Sequence, residues 1–312
     1  MSVAEELGRF SPQKETLLTI GVFDGVHPGH RYLISRLKEL ARKQGLLSGV
    51  ITFRQHPQEV LSPQNIMPSL TILEQRTALL KKEGADFVIP LSFTPELANL
   101  SPERFLNLLK EKLKMKGLVV GPDFALGKNR EGDIDTLRRL GKEMGFKVTV
   151  VPPMTIDGET VSSTAIRQAL AEGDMKRAEK LLGRPFRLQG RVVGGDKRGK
   201  RLGFPTANIE VAPGQALPAG GVYACRAYIN NKAYSAMTNI GSRPTFGGGP
   251  RTIEAYLIDY SGDLYGQELA IDIIERLRDE KRFDTPEQLK EQIAKDVRQG
   301  KARLKTEVKT KP

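Results

Sequence analysis

The sequence predicts an α/β chain in two parts, a parallel-sheet domain over residues 1–183 and an antiparallel β-barrel with a terminal helix over residues 184–312. Up to about Leu182, β-rich runs alternate with amphipathic helical stretches, the pattern of a doubly wound sheet covered on both faces. After Gly183-Arg184-Pro185, β-type runs follow one another across Gly, Pro and Asn turns with no helix between them. A chain of 312 residues is long enough to bury two moderate cores.

In the first part, residues 17–23 read as a strand. The stretch after them puts Leu33, Ile34, Leu37, Leu40 and Ala41 on one helical face. Further strands are expected at 49–53, 87–91, 118–120 and 147–151, with a helix opened by Ser101-Pro102, a cap followed by proline at the first helical position. Two short helices, 165–171 and 175–182, lead to the boundary. The barrel strands are expected at 186–193, 222–229, 233–240, 252–257 and 269–274. A helix over about 286–299 closes the chain, and Thr285-Pro286-Glu287-Gln288 fits a capping box at its start.

Cys225 is the only cysteine, which excludes a disulfide framework and a cysteine-rich zinc site and points to a reducing compartment. The first ten residues hold Glu5, Glu6 and Arg9 and no apolar run, and no later stretch is long enough to span a bilayer. A cytoplasmic protein is therefore expected, with no membrane partner. The formal charge of +12, most of it after Gly183, calls for polyanionic partners: nucleotides, nucleic acid or an acidic surface.

Two of the three histidines lie in one turn, Gly21-Val22-Phe23-Asp24-Gly25-Val26-His27-Pro28-Gly29-His30, where the first strand ends and the first long helix begins. Open α/β sheets bind ligands there, and the free N–H groups of a helix start favour phosphate. Histidines three residues apart, with glycines that allow close backbone approach, can both donate to phosphate oxygens. Read blandly, they are a pair of ordinary turn histidines. A second segment, Val161-Ser162-Ser163-Thr164-Ala165-Ile166-Arg167, offers helix-capping hydroxyls and, one turn on, an arginine able to grip phosphate with two donors.

The first segment resembles the HxGH signature of the nucleotidylyltransferase superfamily, in the form found in bacterial FAD synthetases, and the second resembles their SSTxxR motif. Thr52-Phe53-Arg54-Gln55-His56-Pro57 and Gly121-Pro122-Asp123-Phe124-Ala125-Leu126-Gly127 are similar to family segments that contact flavin or nucleotide, with Leu126 where an aromatic residue is common. The resemblance implies a Rossmann-like nucleotidyltransferase domain that binds ATP and FMN. In it His27 and His30 act on the α-phosphate, and Ser163 and Arg167 hold the outgoing phosphates. Gly21, Phe23, Asp24, Gly29, Asp123, Phe124, Ser162 and Thr164 complete the binding set.

In the second part, Lys197, Arg198, Lys200 and Arg201 form a basic loop that by charge alone suits a nucleotide or a nucleic acid. The longer stretch Gly199-Lys200-Arg201-Leu202-Gly203-Phe204-Pro205-Thr206-Ala207-Asn208 resembles the RGxxLGFPTAN motif of riboflavin kinases. Segments at 220–224, 239–246, 252–256 and 263–266 follow in that family's order. The resemblance implies nucleotide and flavin contacts at Gly199, Lys200, Gly203, Pro205, Asn239 and Arg243, and Mg²⁺ ligands at Thr206 and Asn208. Strand alternation sets Glu254 and Tyr256 on the face opposite Ile253, Ala255 and Leu257. A carboxylate there is usually just solvated, but Glu254 matches the family's proposed base, and a hydroxyl nucleophile gains from one. Tyr256 stands where many relatives carry His, and Arg282-Phe283 could belong to a lid over the flavin.

Both halves thus point to flavin: a bifunctional riboflavin kinase and FAD synthetase that uses ATP and Mg²⁺, takes riboflavin and FMN as substrates, and acts as a monomer or weak homo-oligomer. Two other readings stay open on the residues alone. In one, a single half is active and the other serves as a sensor or scaffold. In the other, the chain is a basic RNA-binding protein whose affinity falls steeply with salt.

Overall fold

The computed structural model describes residues 2–65, 67–195, 198–230, 232–242 and 251–308. The chain packs as two units, Met1–Ser163 and Thr164–Pro312. The first carries α1 (Val3–Gly8), β1 (Thr16–Ile20), α2 (Pro28–Gln44), β2 (Leu47–Phe53), α3 (Pro57–Leu61), α4 (Leu73–Lys82), β3 (Phe87–Leu91), α5 (Pro95–Ala98), α6 (Pro102–Leu113), β4 (Met115–Val120), α7 (Ile134–Met144), β5 (Lys147–Val150) and the short hairpin β6 (Thr155–Ile156) and β7 (Glu159–Thr160).

The five main strands form one parallel sheet in the order β3-β2-β1-β4-β5. Neighbouring residues on each strand feed opposite faces. Leu17, Val50 and Val88 pack under Ile34 and Leu37 of α2 and Leu80 of α4. Leu18, Ile51 and Ile89 pack under Leu7 of α1 and Phe105 and Leu109 of α6. That two-sided burial makes the strands read as continuous apolar runs rather than alternating ones. The chain leaves β1 toward β2 on one side and returns to pair β4 on the other, so the strand order reverses beside β1, where such sheets bind ligands. The strand ends at Ile20, three residues earlier than its sequence suggests, and Gly21 to Phe23 start the ligand loop.

The second unit begins within α8 (Ser163–Glu172) and continues through α9 (Met175–Leu182), β8 (Phe186–Val193), α10 (Arg198–Arg201), β9 (Ala207–Val211), β10 (Gly221–Ile229), β11 (Lys232–Ser242), β12 (Arg251–Leu257), β13 (Glu268–Arg278) and α11 (Pro286–Val308). The pattern change at Gly183 and this division differ by the length of two helices. Both pack on the barrel: Ala219 donates its N–H to the Leu170 carbonyl at 2.8 Å, and α9 lies on β8 and β13.

Six antiparallel strands close the barrel in the order β10-β11-β12-β9-β8-β13. The sequence suggests five; β9, hidden in the motif after Pro205, is the sixth and bridges β8 to β12. The closing helix runs to Val308 rather than stopping near Gln299. Gly300 lies inside it, where a Cβ would run into the Met237 thioether. At the helix start Gln288 accepts from the N–H of Asp284 at 3.2 Å, while the Gln288 N–H donates to the Thr285 hydroxyl.

A buried ion pair ties α11 to the end of β13. Arg278 reaches Asp296 through Nη2 at 2.7 Å and through Nε at 3.1 Å, and Gln292 donates to the same carboxylate at 2.8 Å. The two side chains are 15% and 4% exposed. Replacing Asp296 by Asn leaves the guanidinium without its counter-charge, and we expect unfolding of this unit to become easier by about 3 kcal/mol. Denaturant titration of the variant, followed by its near-ultraviolet signal, measures this.

Candidate active sites

The loop after β1 places three aromatic rings together. His27 caps α2, and its Nδ1 accepts the N–H of His30 at 3.4 Å, which leaves the His27 proton on Nε2 as a donor. The two imidazoles stack with centroids 3.6 Å apart, and Phe23 meets His30 edge-on at 5.2 Å. Burial, and secondarily the neighbouring His27, hold the His30 pKa well below its usual value, and its buried Nδ1 has no hydrogen-bond partner among the described residues. A neutral His30 stacked on His27 is thus poised at a helix start, ready to hydrogen-bond an anion.

Hydrogen bonds fix this loop from several sides. Gly21 donates to the Ile51 carbonyl at 3.0 Å, and the Thr52 hydroxyl donates to the Val22 carbonyl at 2.9 Å. Ser163 donates its hydroxyl to the Asp24 carbonyl at 2.9 Å, so the start of the second motif is tied to the first. Gly29, second in α2, lies against the His27 ring and the Val161 carbonyl. Asp24 departs from the expectation of a ligand contact: its buried carboxylate instead accepts the N–H groups of Leu70 and Thr71 at 2.8 and 3.0 Å.

Ser162 precedes α8, Thr164 is exposed, and Arg167 lies one turn along the helix in the second unit. In the loop after β4, Asp123 is exposed and its carbonyl accepts from Arg130 at 2.9 Å, while Phe124 packs partly into the core. Leu126 is buried and bridged to Gly132, which gives it a core role rather than a stacking one. His56 caps α3 through Nδ1, accepting from Gln58 at 3.2 Å.

In the barrel, register builds the second site. Asn239 on β11 pairs with Glu254 on β12, and Glu254 pairs with Asn208 on β9. Directly opposed residues share a face with Cβ atoms about 5 Å apart, so the three form a polar row. Glu254 and Asn239 open into a cavity of 350 Å³ whose apolar walls include Leu202, Phe204, Met237 and Ile293. Tyr256 stands edge-on to Phe204 at 5.3 Å in the same wall. Gly199 also lines this cavity.

A second cavity, of 400 Å³, is lined by Pro205, Thr206, Asn208 and the loop 260–265, and Thr206 borders both. Glycine backbone closes over the two oxygen-bearing side chains: a Cβ at 195 would collide with the Asn208 amide, and one at 199 would fall 3.3 Å from the Thr206 hydroxyl. Gly203 makes the turn before Phe204 at φ +87°. Lys200 lies in α10. Arg243, Lys197 and the glycine turn 247–249 lie outside the described residues. Phe283 joins Leu289 and Ile293 of α11 in the apolar wall of the first cavity. Sequence reasoning missed Thr71 and Arg76, which no local pattern marks.

Comparison with known proteins matches each unit to a family. The FAD synthetase profile covers residues 10–165 and the riboflavin kinase profile residues 182–304. A bifunctional riboflavin kinase/FMN adenylyltransferase of Escherichia coli K12 is 40% identical over 288 residues, 92% of each chain. The chain belongs to the bifunctional riboflavin kinase/FMN adenylyltransferase family. Its FAD synthetase domain is N-terminal and its riboflavin kinase domain C-terminal. A family member from Pseudomonas fluorescens is 39% identical over 305 residues, 97% of each chain. Among solved structures, a protein from Streptococcus pneumoniae described as a macrolide-efflux protein shares the fold with a TM-score of 0.84 and 31% identity, over 92% of this chain and 94% of that one. Among the described residues here, no helix is long and apolar enough to cross a membrane.

Proposed function

We propose that the barrel phosphorylates riboflavin to FMN and that the parallel-sheet unit joins FMN to AMP. The polar row Asn208-Glu254-Asn239 supports the first step most directly. It lies where an apolar cavity of flavin size meets the cavity bordered by Thr206 and Asn208. A riboflavin hydroxyl attacks the γ-phosphorus of ATP, its proton passes to the Glu254 carboxylate, and ADP leaves. Positioning and charge stabilisation supply the rest, as in other phosphoryl transfers. Gly199, Lys200, Gly203, Pro205 and Arg243 hold the nucleotide, and Asn239 the flavin side. The Thr206 hydroxyl and Asn208 amide oxygen are the hard, neutral donors that Mg²⁺ takes alongside ATP phosphates. Bound there, the ion would neutralise phosphate charge.

In the other unit the nucleophile is the FMN phosphate, whose second pKa near 6 leaves it largely dianionic at neutral pH. No base is needed. One FMN phosphate oxygen bonds to the α-phosphorus of ATP, the bond to the bridging oxygen breaks, and pyrophosphate departs. The stacked imidazoles of His27 and His30 donate hydrogen bonds to the α-phosphate as its charge develops. Ser162, Ser163, Thr164 and Arg167 hold the departing phosphates, Gly21, Phe23 and Gly29 shape the loop, and Asp123 and Phe124 line the flavin side.

A time course with riboflavin, ATP and Mg²⁺, resolved by chromatography, tests both steps. FMN should appear first and FAD after it. FMN that accumulates without FAD, even with FMN and fresh ATP supplied, would leave only the kinase reading.

A further inference from the structure

The loop that presents the histidines is strained. Phe23 has φ +53° and the β-branched Val26 has φ +42°, each a non-glycine residue in the left-handed region. Such residues cost about 1–3 kcal/mol apiece and persist only where their surroundings over-determine them. One side chain from outside the loop does much of that. The buried Thr71 hydroxyl accepts the Gly25 N–H at 3.0 Å and donates to the Asp24 carboxylate at 3.1 Å, and the Thr71 N–H donates to the same carboxylate at 3.0 Å. Asp24 and Gly25 are the two residues between the strained positions.

Thr71 immediately precedes Ile72, which caps α4, and the first turn of that helix carries Arg76, 3% exposed. Arg76 donates through Nη2 to the carbonyls of Phe53 and Arg54, where β2 ends beside the loop. Burial lowers its pKa, and the negative charge of Asp24 does most to oppose that. A short segment therefore fastens the ends of two neighbouring strands and balances one buried charge against another.

We propose that Thr71, backed by Arg76, is a positioning residue for adenylyl transfer, holding the β1–α2 loop in the strained shape that stacks His27 on His30. The inference rests on the reading that this pair binds the α-phosphate. Transition-state contacts lose roughly 10²-fold when a group moves by about 1 Å, so relaxation at Val26, next to His27, should be felt in turnover rather than in ground-state binding.

The full-length Thr71→Val variant keeps the shape and the backbone N–H and removes only the hydroxyl. It should lower kcat for FAD formation by roughly 10²-fold with KM for ATP and FMN changed far less, and leave riboflavin phosphorylation untouched. The chain has three histidines, so side-chain NMR of histidine-labelled protein reads the stack directly: the His27 and His30 resonances should shift and those of His56 should not. Thr71→Ser should restore both. Wild-type turnover, or slowed turnover with an unchanged histidine spectrum, would overturn the proposal. If Thr71→Val does not fold, Arg76→Lys gives the same two readouts with the same expected and overturning results. His30→Ala run alongside separates the layers: normal FAD synthesis by that variant removes the reading beneath, whereas a shifted spectrum in Thr71→Val still tests the clamp by itself.

Discussion

Glu254→Gln should abolish FMN formation, lowering its rate by roughly 10²–10⁴-fold, the usual contribution of a positioned base, while FAD formation from supplied FMN continues at the wild-type rate. Glutamine keeps the shape and a hydrogen-bonding oxygen but cannot accept a proton. The neighbours Asn239 and Asn208 cannot substitute, because neither amide titrates in this range. Substrate affinity should change little, since Gln fills the same place in the cavity wall. Chromatographic rates with riboflavin and, separately, with FMN measure the split. Loss of both activities would show that the two sites are not independent, and undiminished FMN formation would remove the carboxylate from the chemistry.

That residue illustrates what sequence alone can show. Alternation placed Glu254 and Tyr256 together, and the structure buries Ile253, Ala255 and Leu257 on the other side. Nothing local says that the polar face turns into a cavity rather than solvent. The answer lies in β9 and α11, elements separated from β12 in the chain. β9 is only five residues long and follows a motif rich in Gly and Pro, but its alternation of Ala207, Ile209 and Val211 with Asn208 and Glu210 is a strand signal that could have been read; what the chain does not show locally is that β8 and β12 both pair with it. The helices after Val161 present the same difficulty. Their amphipathic pattern is visible, but which core they cover is decided by the Leu170–Ala219 hydrogen bond and by packing on β8 and β13.

In the parallel-sheet unit the legible part is the histidine and glycine spacing. The strand–turn–helix context and the cap at His27 follow from it. The role of Asp24 was not legible, because a carboxylate beside a phosphate-binding signature looks like a ligand until its partners are known. Here those partners are N–H groups some 46 residues away. Thr71 and Arg76 were invisible for the same reason: a threonine and an arginine at the start of a helix carry no mark of the strained loop they hold.

The histidine pair carries the second large effect. His30→Ala should lower FAD formation by roughly 10²–10³-fold, the cost of removing one donor aimed at developing charge, and leave FMN formation unchanged. The same side chain predicts a pH dependence of stability. Its pKa in the folded protein lies well below the ordinary value of about 6.5. Below that value the unfolded chain binds a proton that the folded protein refuses, so stability falls with decreasing pH toward the folded pKa. The slope from this group is at most about 1.4 kcal/mol per pH unit, and His30→Ala should lack it. Denaturant titrations of both proteins between pH 7 and about 5.5, where the carboxylates of ordinary pKa stay mostly ionised, isolate the difference. Parallel curves would mean that His30 takes up its proton as readily in the folded protein as in the unfolded chain, and with the rings stacked at 3.6 Å the anion-binding argument would then have to allow a cationic His30 below its ordinary pKa. A converging difference would show instead that the site waits neutral, and that charge enters it with the nucleotide.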